Sequence, residues 1–152
     1  MPTLVKARRL IAATALCLGA ALPSWAQELV SVRNAGTPLQ ASPEANSEVL
    51  WKLQTGFPLQ VLERKGNWLK VQDFEGDSGW VAGEATGSTA YHVVRVKAAN
   101  LRAGPGTDHA KIGMVNYGDV LRTSLRQGDW VEVQNPRGKG TAWIASSLIW
   151  GW

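Results

Sequence analysis

Gly66-Asn67-Trp68-Leu69-Lys70-Val71, followed by Gly79-Trp80-Val81, is written a second time as Gly128-Asp129-Trp130-Val131-Glu132-Val133 and Ala142-Trp143-Ile144. An offset of 62 relates Trp68 to Trp130, and the same offset relates Leu39 to Leu101, Pro43 to Pro105, Leu50 to Ile112, Leu53 to Val115, Gly56 to Gly118 and Val71 to Val133. Trp80 and Trp143 stand 63 apart, so one residue is added in the last turn. A constant offset kept by apolar residues, glycines and tryptophans marks one structural unit used twice.

Working outward from the first copy, short runs separated by Gly, Asn and Asp read as strands: Leu29 to Arg33, Ser47 to Leu53, Pro58 to Arg64, Trp68 to Gln72 and Trp80 to Ala82. In the second copy the corresponding runs begin at His92, Lys111, Val120, Trp130 and Ala142. Five or so short strands per copy predict an all-β chain of two small barrels. The boundaries expected are residues 27–84 for the first domain, 85–91 for a small, polar linker and 92–152 for the second domain. A linker of this length holds the domains close together.

Ahead of the repeat, Lys6, Arg8 and Arg9 precede an apolar run from Leu10 to Leu22 and the small-residue stretch Pro23-Ser24-Trp25-Ala26. This is the pattern of an export signal, residues 1–26, with cleavage after Ala26. The thirteen-residue run is shorter than the roughly 20 residues that span a bilayer, so no stable membrane insertion is expected after cleavage. Cys17 follows Leu16 rather than Gly or Ala, which is not the lipoprotein pattern, and it leaves with the signal. The mature chain therefore has no disulfide to rely on, and each domain must be held by its own core. It is also nearly neutral, with thirteen Lys and Arg against twelve Asp and Glu, which removes the case for nucleic acid as a partner. The charge is unevenly shared: residues 27–89 hold five basic and eight acidic groups, residues 90–152 eight and four.

The run Asn100-Leu101-Arg102-Ala103-Gly104-Pro105-Gly106-Thr107, the Gly118-Asp119-Val120 strand start, the Gly128 to Val133 phrase and the closing Trp143-Ile144 together resemble the bacterial SH3 (SH3b) domain. The first copy, through Pro38-Leu39-Gln40-Ala41-Ser42-Pro43, Gly56-Phe57-Pro58-Leu59 and its own tryptophan phrases, is similar to a divergent branch of that family found in exported paired-domain proteins. The resemblance covers the mature chain and implies two tandem SH3-like barrels, with cell-wall peptidoglycan or a peptide as the ligand class. Two positions depart from the pattern: Gln40 stands where Arg is expected beside Leu39, and Ala142 stands where Gly is expected before Trp143. The first weakens any ligand role for that position in the first copy; the second is expected to alter only a turn.

The strand period sorts the side chains of the repeated phrase. Leu69 and Val71 share one face and Trp68 and Lys70 the other; Val131 and Val133 are likewise set against Trp130 and Glu132. Val81 and Ile144 are separated in the same way from Trp80 and Trp143. The aliphatics are expected in the core, and the four tryptophans either cap an open barrel end or line a groove that grips glycan or peptide by its flat apolar faces. Arg102, beside the Gly-Pro-Gly loop, either braces that loop's carbonyls or pairs with a ligand carboxylate. The candidate binding set is thus Trp68, Trp80, Arg102, Trp130 and Trp143. Trp150 and Trp152 are expected to pack the tail onto a barrel or into the seam between the units.

Catalysis finds little material. The mature chain has no cysteine, and its histidines are His92 and His109, the latter adjacent to Asp108 in a Gly-rich loop. Neighbours along a loop do not supply an oriented nucleophile, base and third group. Asp73, Glu75, Asp77 and Glu84 mimic the spacing of a calcium loop, but Ser78 occupies the position that needs Gly and strands flank the run. No cofactor, metal or catalytic residue is therefore expected. The expected role is a non-catalytic recognition module of the periplasm or secreted space; the alternative is a protein-protein adaptor that uses the acidic first and basic second domains on an envelope partner.

Overall fold

The computed structural model describes residues 27–152, and the expected export signal lies outside the described residues. The first unit consists of β1 (Leu29–Val32), β2 (Thr37–Gln40), β3 (Val49–Leu53), β4 (Pro58–Lys65), β5 (Trp68–Gln72), β6 (Ser78–Ala82) and β7 (Thr86–Gly87). The second repeats it as β8 (Tyr91–Val94), β9 (Ala98–Arg102), β10 (Lys111–Asn116), β11 (Val120–Gln127), β12 (Trp130–Gln134), β13 (Thr141–Ala145) and β14 (Ile149–Gly151). Each unit is one antiparallel sheet, in the order β3-β2-β6-β5-β4-β1-β7 and β10-β9-β13-β12-β11-β8-β14.

The fold is all-β and double, as the repeat requires. The hairpins at its centre are set by glycine: Gly66-Asn67 and Gly128-Asp129 form two-residue loops, with φ of 55° and 57° at the glycines. That sign of φ at the first loop position matches the twist of the flanking strands and suits a residue without Cβ. Both long strands break register at equivalent places, between Val61 and Glu63 and between Thr123 and Leu125. A bulge there bends the sheet in both domains.

The cores follow the offset. Val32, Leu39, Leu53, Leu59, Leu69 and Val71 are buried in the first domain, and Val94, Leu101, Val115, Leu121, Val131 and Val133 take their places in the second. Each cluster is closed within its own sheet, which is how a chain without disulfides holds two small domains. Val81 and Ile144 complete them, buried on the face opposite to Trp80 and Trp143.

Two details differ from the sequence reading. A short 3-10 turn (Gly83–Ala85) leads into β7, which pairs with β1, so residues 85–87 belong to the first domain and the link between sheets shortens to Ser88–Ala90. The matching turn Ser146–Leu148 leads into β14, which pairs Ile149 with Val94 and Gly151 with His92. Strands of two or three residues carry too little alternation to be read from sequence. The second detail is Ala142, which sits in β13, fully buried, and not in a turn. At its counterpart Gly79, a Cβ would come within 2.7 Å of Leu39 Cγ. The Gly-to-Ala difference therefore changes core packing.

The domains touch along a seam. Gln54 Nε2 donates to Gly118 O at 3.0 Å, and the Tyr91 ring covers Gly56 so closely that a Cβ there would stand 2.6 Å from it. Phe57, Phe74 and Tyr117 form an aromatic chain with centroid spacings of 6.2 and 5.4 Å, and the Tyr117 hydroxyl donates to Glu75. That bond to a carboxylate pushes the Tyr117 phenol up to about 12.

Candidate functional site: the tryptophan faces of the two sheets

On the first sheet, Trp68 lies opposite Ala82 and Trp80 opposite Lys70, so the two indoles are diagonal neighbours on the face away from the core. On the second, Trp130 lies opposite Ala145 and Trp143 opposite Glu132 in the same diagonal. All four are half-buried, while Leu69, Val71, Val131 and Val133 beneath them are buried. Neither a pure core role nor free exposure describes them: each presents part of an indole to solvent on a rigid sheet. The faces differ in charge, since Lys70 sits among the tryptophans of the first and Glu132, held by the Thr141 hydroxyl at 2.8 Å, among those of the second.

Arg102 stands directly across from Trp143. Its guanidinium donates to Thr107 O at 2.8 Å and His109 O at 2.9 Å, so it braces the Gly-Pro-Gly loop beside the tryptophan face. Gln40 occupies the same place in the first domain, across from Trp80, and its amide donates to Ala45 O at 3.1 Å. Because Ala45 is the offset partner of Thr107, the two residues brace the same carbonyl in two domains. The departure from Arg thus keeps the structural contact and gives up the charge.

Of the four acidic residues with calcium-loop spacing, Asp73, Glu75 and Asp77 bring one oxygen each within 4.8 Å of one another, whereas Glu84 lies on the 3-10 turn outside that group. Asp73 accepts from the backbone N–H of Glu75 at 2.9 Å and of Asp77 at 3.0 Å, which shapes the turn between β5 and β6. Burial, opposed by those two N–H bonds and reinforced by the neighbouring carboxylates, holds its carboxyl above the ordinary value.

Neither histidine belongs to the repeated tryptophan strands. His92 is 4% exposed, and its Nδ1 is 2.6 Å from the Thr123 hydroxyl. Burial pushes its imidazole down to about 4; a backbone hydrogen bond with Trp152 opposes that and Arg126 adds to it. His109 is exposed on its loop. Trp150, in β14, and Trp152 are both half-buried against the second sheet's edge, with β14 paired to β8 and close to β4 of the first domain.

Trp51 has no tryptophan counterpart in the second domain and stands outside the candidate set named from the sequence. The structure places it beside a groove of ≈ 460 Å³ with Leu53, Phe57 and the Asp73–Asp77 turn. The available signal was the pairing of Trp51 with Gly113 at the repeat offset, a large aromatic against no side chain at all.

These features define a pair of SH3-like all-β domains, each with an aromatic outer face and a braced loop at its rim. Two models of the bacterial SH3 domain match residues 34–86 and 97–149, and the chain belongs to that family. It is similar to the probable cell wall amidase LytH of Staphylococcus epidermidis, 39% identical over 46 residues, which is 30% of this chain and 16% of that protein. It is also similar to the putative N-acetylmuramoyl-L-alanine amidase YrvJ of Bacillus subtilis, 22% identical over 122 residues, covering 73% of this chain and 23% of that protein. The chain thus spans less than a quarter of the length of these relatives. Solved structures that resemble it include an NlpC/P60 family protein from Bacillus cereus (TM-score 0.35, 18% identity, 82% of this chain and 56% of that one) and the endolysin LysPBC5 CBD (TM-score 0.33, 13% identity, 82% and 93%). No helix among the described residues is long and apolar enough to cross a membrane.

Proposed function

We propose that the chain is a non-catalytic recognition module of the cell envelope, periplasmic or secreted, that binds peptidoglycan or one of its peptides. The observation that carries this reading is the repeated diagonal pair of half-buried tryptophans, Trp68 with Trp80 and Trp130 with Trp143, on the outer faces of both sheets. Flat indole faces with an N–H at the edge suit sugar rings and peptide planes. The relatives support the ligand class: one is named as a probable cell wall amidase and the other as a putative N-acetylmuramoyl-L-alanine amidase, and this chain matches a small part of each. Arg102 and Gln40 serve this site by fixing the loop next to each indole pair.

Co-sedimentation of the mature protein with purified sacculi tests the proposal. The wild type is expected in the pellet, with Trp130→Ala/Trp143→Ala shifted to the supernatant while its circular dichroism stays unchanged. A wild type that remains in the supernatant at every salt concentration, or a double variant that pellets as well as the wild type, would overturn the assignment.

A further inference from the structure

Strand β3 is the end strand of the first sheet, with β2 as its one strand partner. Four consecutive residues of it are exposed, three of them apolar: Val49 at 46%, Leu50 at 38% and Trp51 at 53%. An open apolar edge with unpaired backbone groups is a template for another extended chain, and stable domains normally blunt it. Here Lys52 is the one charge in the strand. Trp51 shares a strand face with the buried Leu53 and overlooks the groove of ≈ 460 Å³ whose far wall is the turn bearing Asp73, Glu75 and Asp77. The edge and the groove therefore form one surface: apolar along the strand, aromatic at its centre and acidic on the rim, with Lys52 as the one cation against three carboxylates in the lining.

The repeat shows that this surface is not required by the fold. At the place of Trp51 the second domain has Gly113, and its corresponding turn, one residue longer, carries Asn135, Arg137 and Lys139 in place of the three acids. The two turns open alike, since Asn135 Oδ1 accepts from the Arg137 N–H at 3.0 Å as Asp73 accepts from the Glu75 N–H, although Asp73 also takes the Asp77 N–H and the second turn closes one residue later, on Gly140 O. An amide is sufficient for that opening bond, and the second domain makes its turn at this end of the sheet without the three negative charges. The Phe57–Phe74–Tyr117 chain and the Tyr117–Glu75 bond hold the acidic wall against the second domain.

We propose that the first domain docks an extended, lysine-bearing segment of a partner protein, which adds a strand to the free edge of β3 and places an ammonium between Trp51 and the Asp73–Asp77 turn. Main-chain pairing supplies the extended geometry and the groove selects the side chain. Trp51 contributes an aromatic face that attracts a cation, and the carboxylates complement its charge. None of the four repeated tryptophans takes part, so this site stands whether or not those faces bind sacculi.

The test is an NMR titration of the mature chain with a capped heptapeptide alternating valine and lysine, and with the same peptide carrying glutamate for lysine. The expected result is saturable shifts confined to residues 49–53 and 73–77 with the lysine peptide and none with the glutamate peptide. Trp51→Ala, and separately the triple change Asp73→Asn, Glu75→Gln, Asp77→Asn, should each weaken binding about tenfold, in line with the loss of one cation–aromatic or charge-assisted contact. The triple variant keeps an amide at the turn, so its fold is guarded by the precedent of Asn135. Shifts that map to the second domain, affinity unchanged in either variant, or no saturation at millimolar peptide would overturn the proposal. Loss of sacculus binding in Trp51→Ala without any peptide binding would also overturn it, and would assign the groove to the wall polymer.

Discussion

Acidification should destabilise the second domain through His92. The side chain is 4% exposed and packed against the Thr123 hydroxyl, and burial lowers its pKa from 6.5 to about 4. In the unfolded chain it titrates near 6.5, so between that value and about 4 the unfolded state binds the extra proton. Stability is therefore full above pH 6.5 and declines as the pH falls towards 4. The shift corresponds to about 3 kcal/mol at 1.36 kcal/mol per unit, a large part of the stability of a domain this small. Denaturant melts of the mature chain at several pH values between 7.5 and 4, read by circular dichroism, measure the slope. His92→Asn keeps a polar atom near Thr123 and does not titrate, so its melts should show a cost at neutral pH but a much flatter dependence below 6.5. Asp73 acts in the opposite sense, because its raised pKa favours the folded state at low pH and that gain fades as pH rises. It is present in both proteins and cancels in their difference. If wild type and His92→Asn lose stability in parallel from pH 6.5 to 4, the buried imidazole is not the cause and the reasoning fails.

Glycines with matching backbones allow the seam to be isolated: Gly56 and Gly118 have φ of 79° and 81°, but a Cβ meets Tyr91 only at Gly56. Both alanine variants should lose about 1 kcal/mol from the positive φ, and only Gly56→Ala should also loosen the domains, seen as faster and separate tumbling in NMR relaxation. Equal tumbling in the two variants would count against the Tyr91 contact. Gly79→Ala should cost about 1–3 kcal/mol in a thermal melt by overpacking against Leu39, although the second domain carries alanine at that site; a neutral result would show that Leu39 moves freely. Arg102→Ala should cost about 1 kcal/mol by stripping two loop carbonyls of their donor, while Arg102→Gln should recover most of it, as Gln40 does in the first domain. An equal loss in the two variants would mean that the charge, and not the bond to the loop, is what matters there.

The architecture was legible because its signals are long-range and redundant. A 62-residue offset repeated by leucines, valines and glycines needs no propensity scale, and strand period two placed Leu69, Val71, Val131 and Val133 inside with the tryptophans outside. What escaped was whatever depends on a few residues or on distant pairing. β7 and β14 are two and three residues long, and their partners lie more than fifty positions away. The Gly-to-Ala departure at Ala142 reads from the sequence as a change in a turn, whereas the register places the residue opposite Val133 inside the sheet. Arg102 and Gln40 show the same limit from the other side: their types differ, and only in the folded chain do both reach one equivalent carbonyl.

The repeat also separates what the fold demands from what it merely permits. Positions that agree at the offset, such as Leu39 with Leu101 and Val71 with Val133, are buried in both domains and are accounted for by packing. The tryptophan pairs agree too, yet they are only half-buried, so packing alone explains part of each indole and leaves a solvent-facing remainder on both sheets. Positions that disagree while the backbone stays the same carry the opposite message. Asp73 and Asn135 open equivalent turns with different charge, and Trp51 and Gly113 occupy equivalent places on end strands with different bulk. Since the scaffold tolerates either choice, the acidic, aromatic edge of the first domain is a difference that the scaffold did not force. A shared surface on two domains suits a repetitive ligand such as a wall polymer, and an unshared one suits a single partner that must be told from its surroundings.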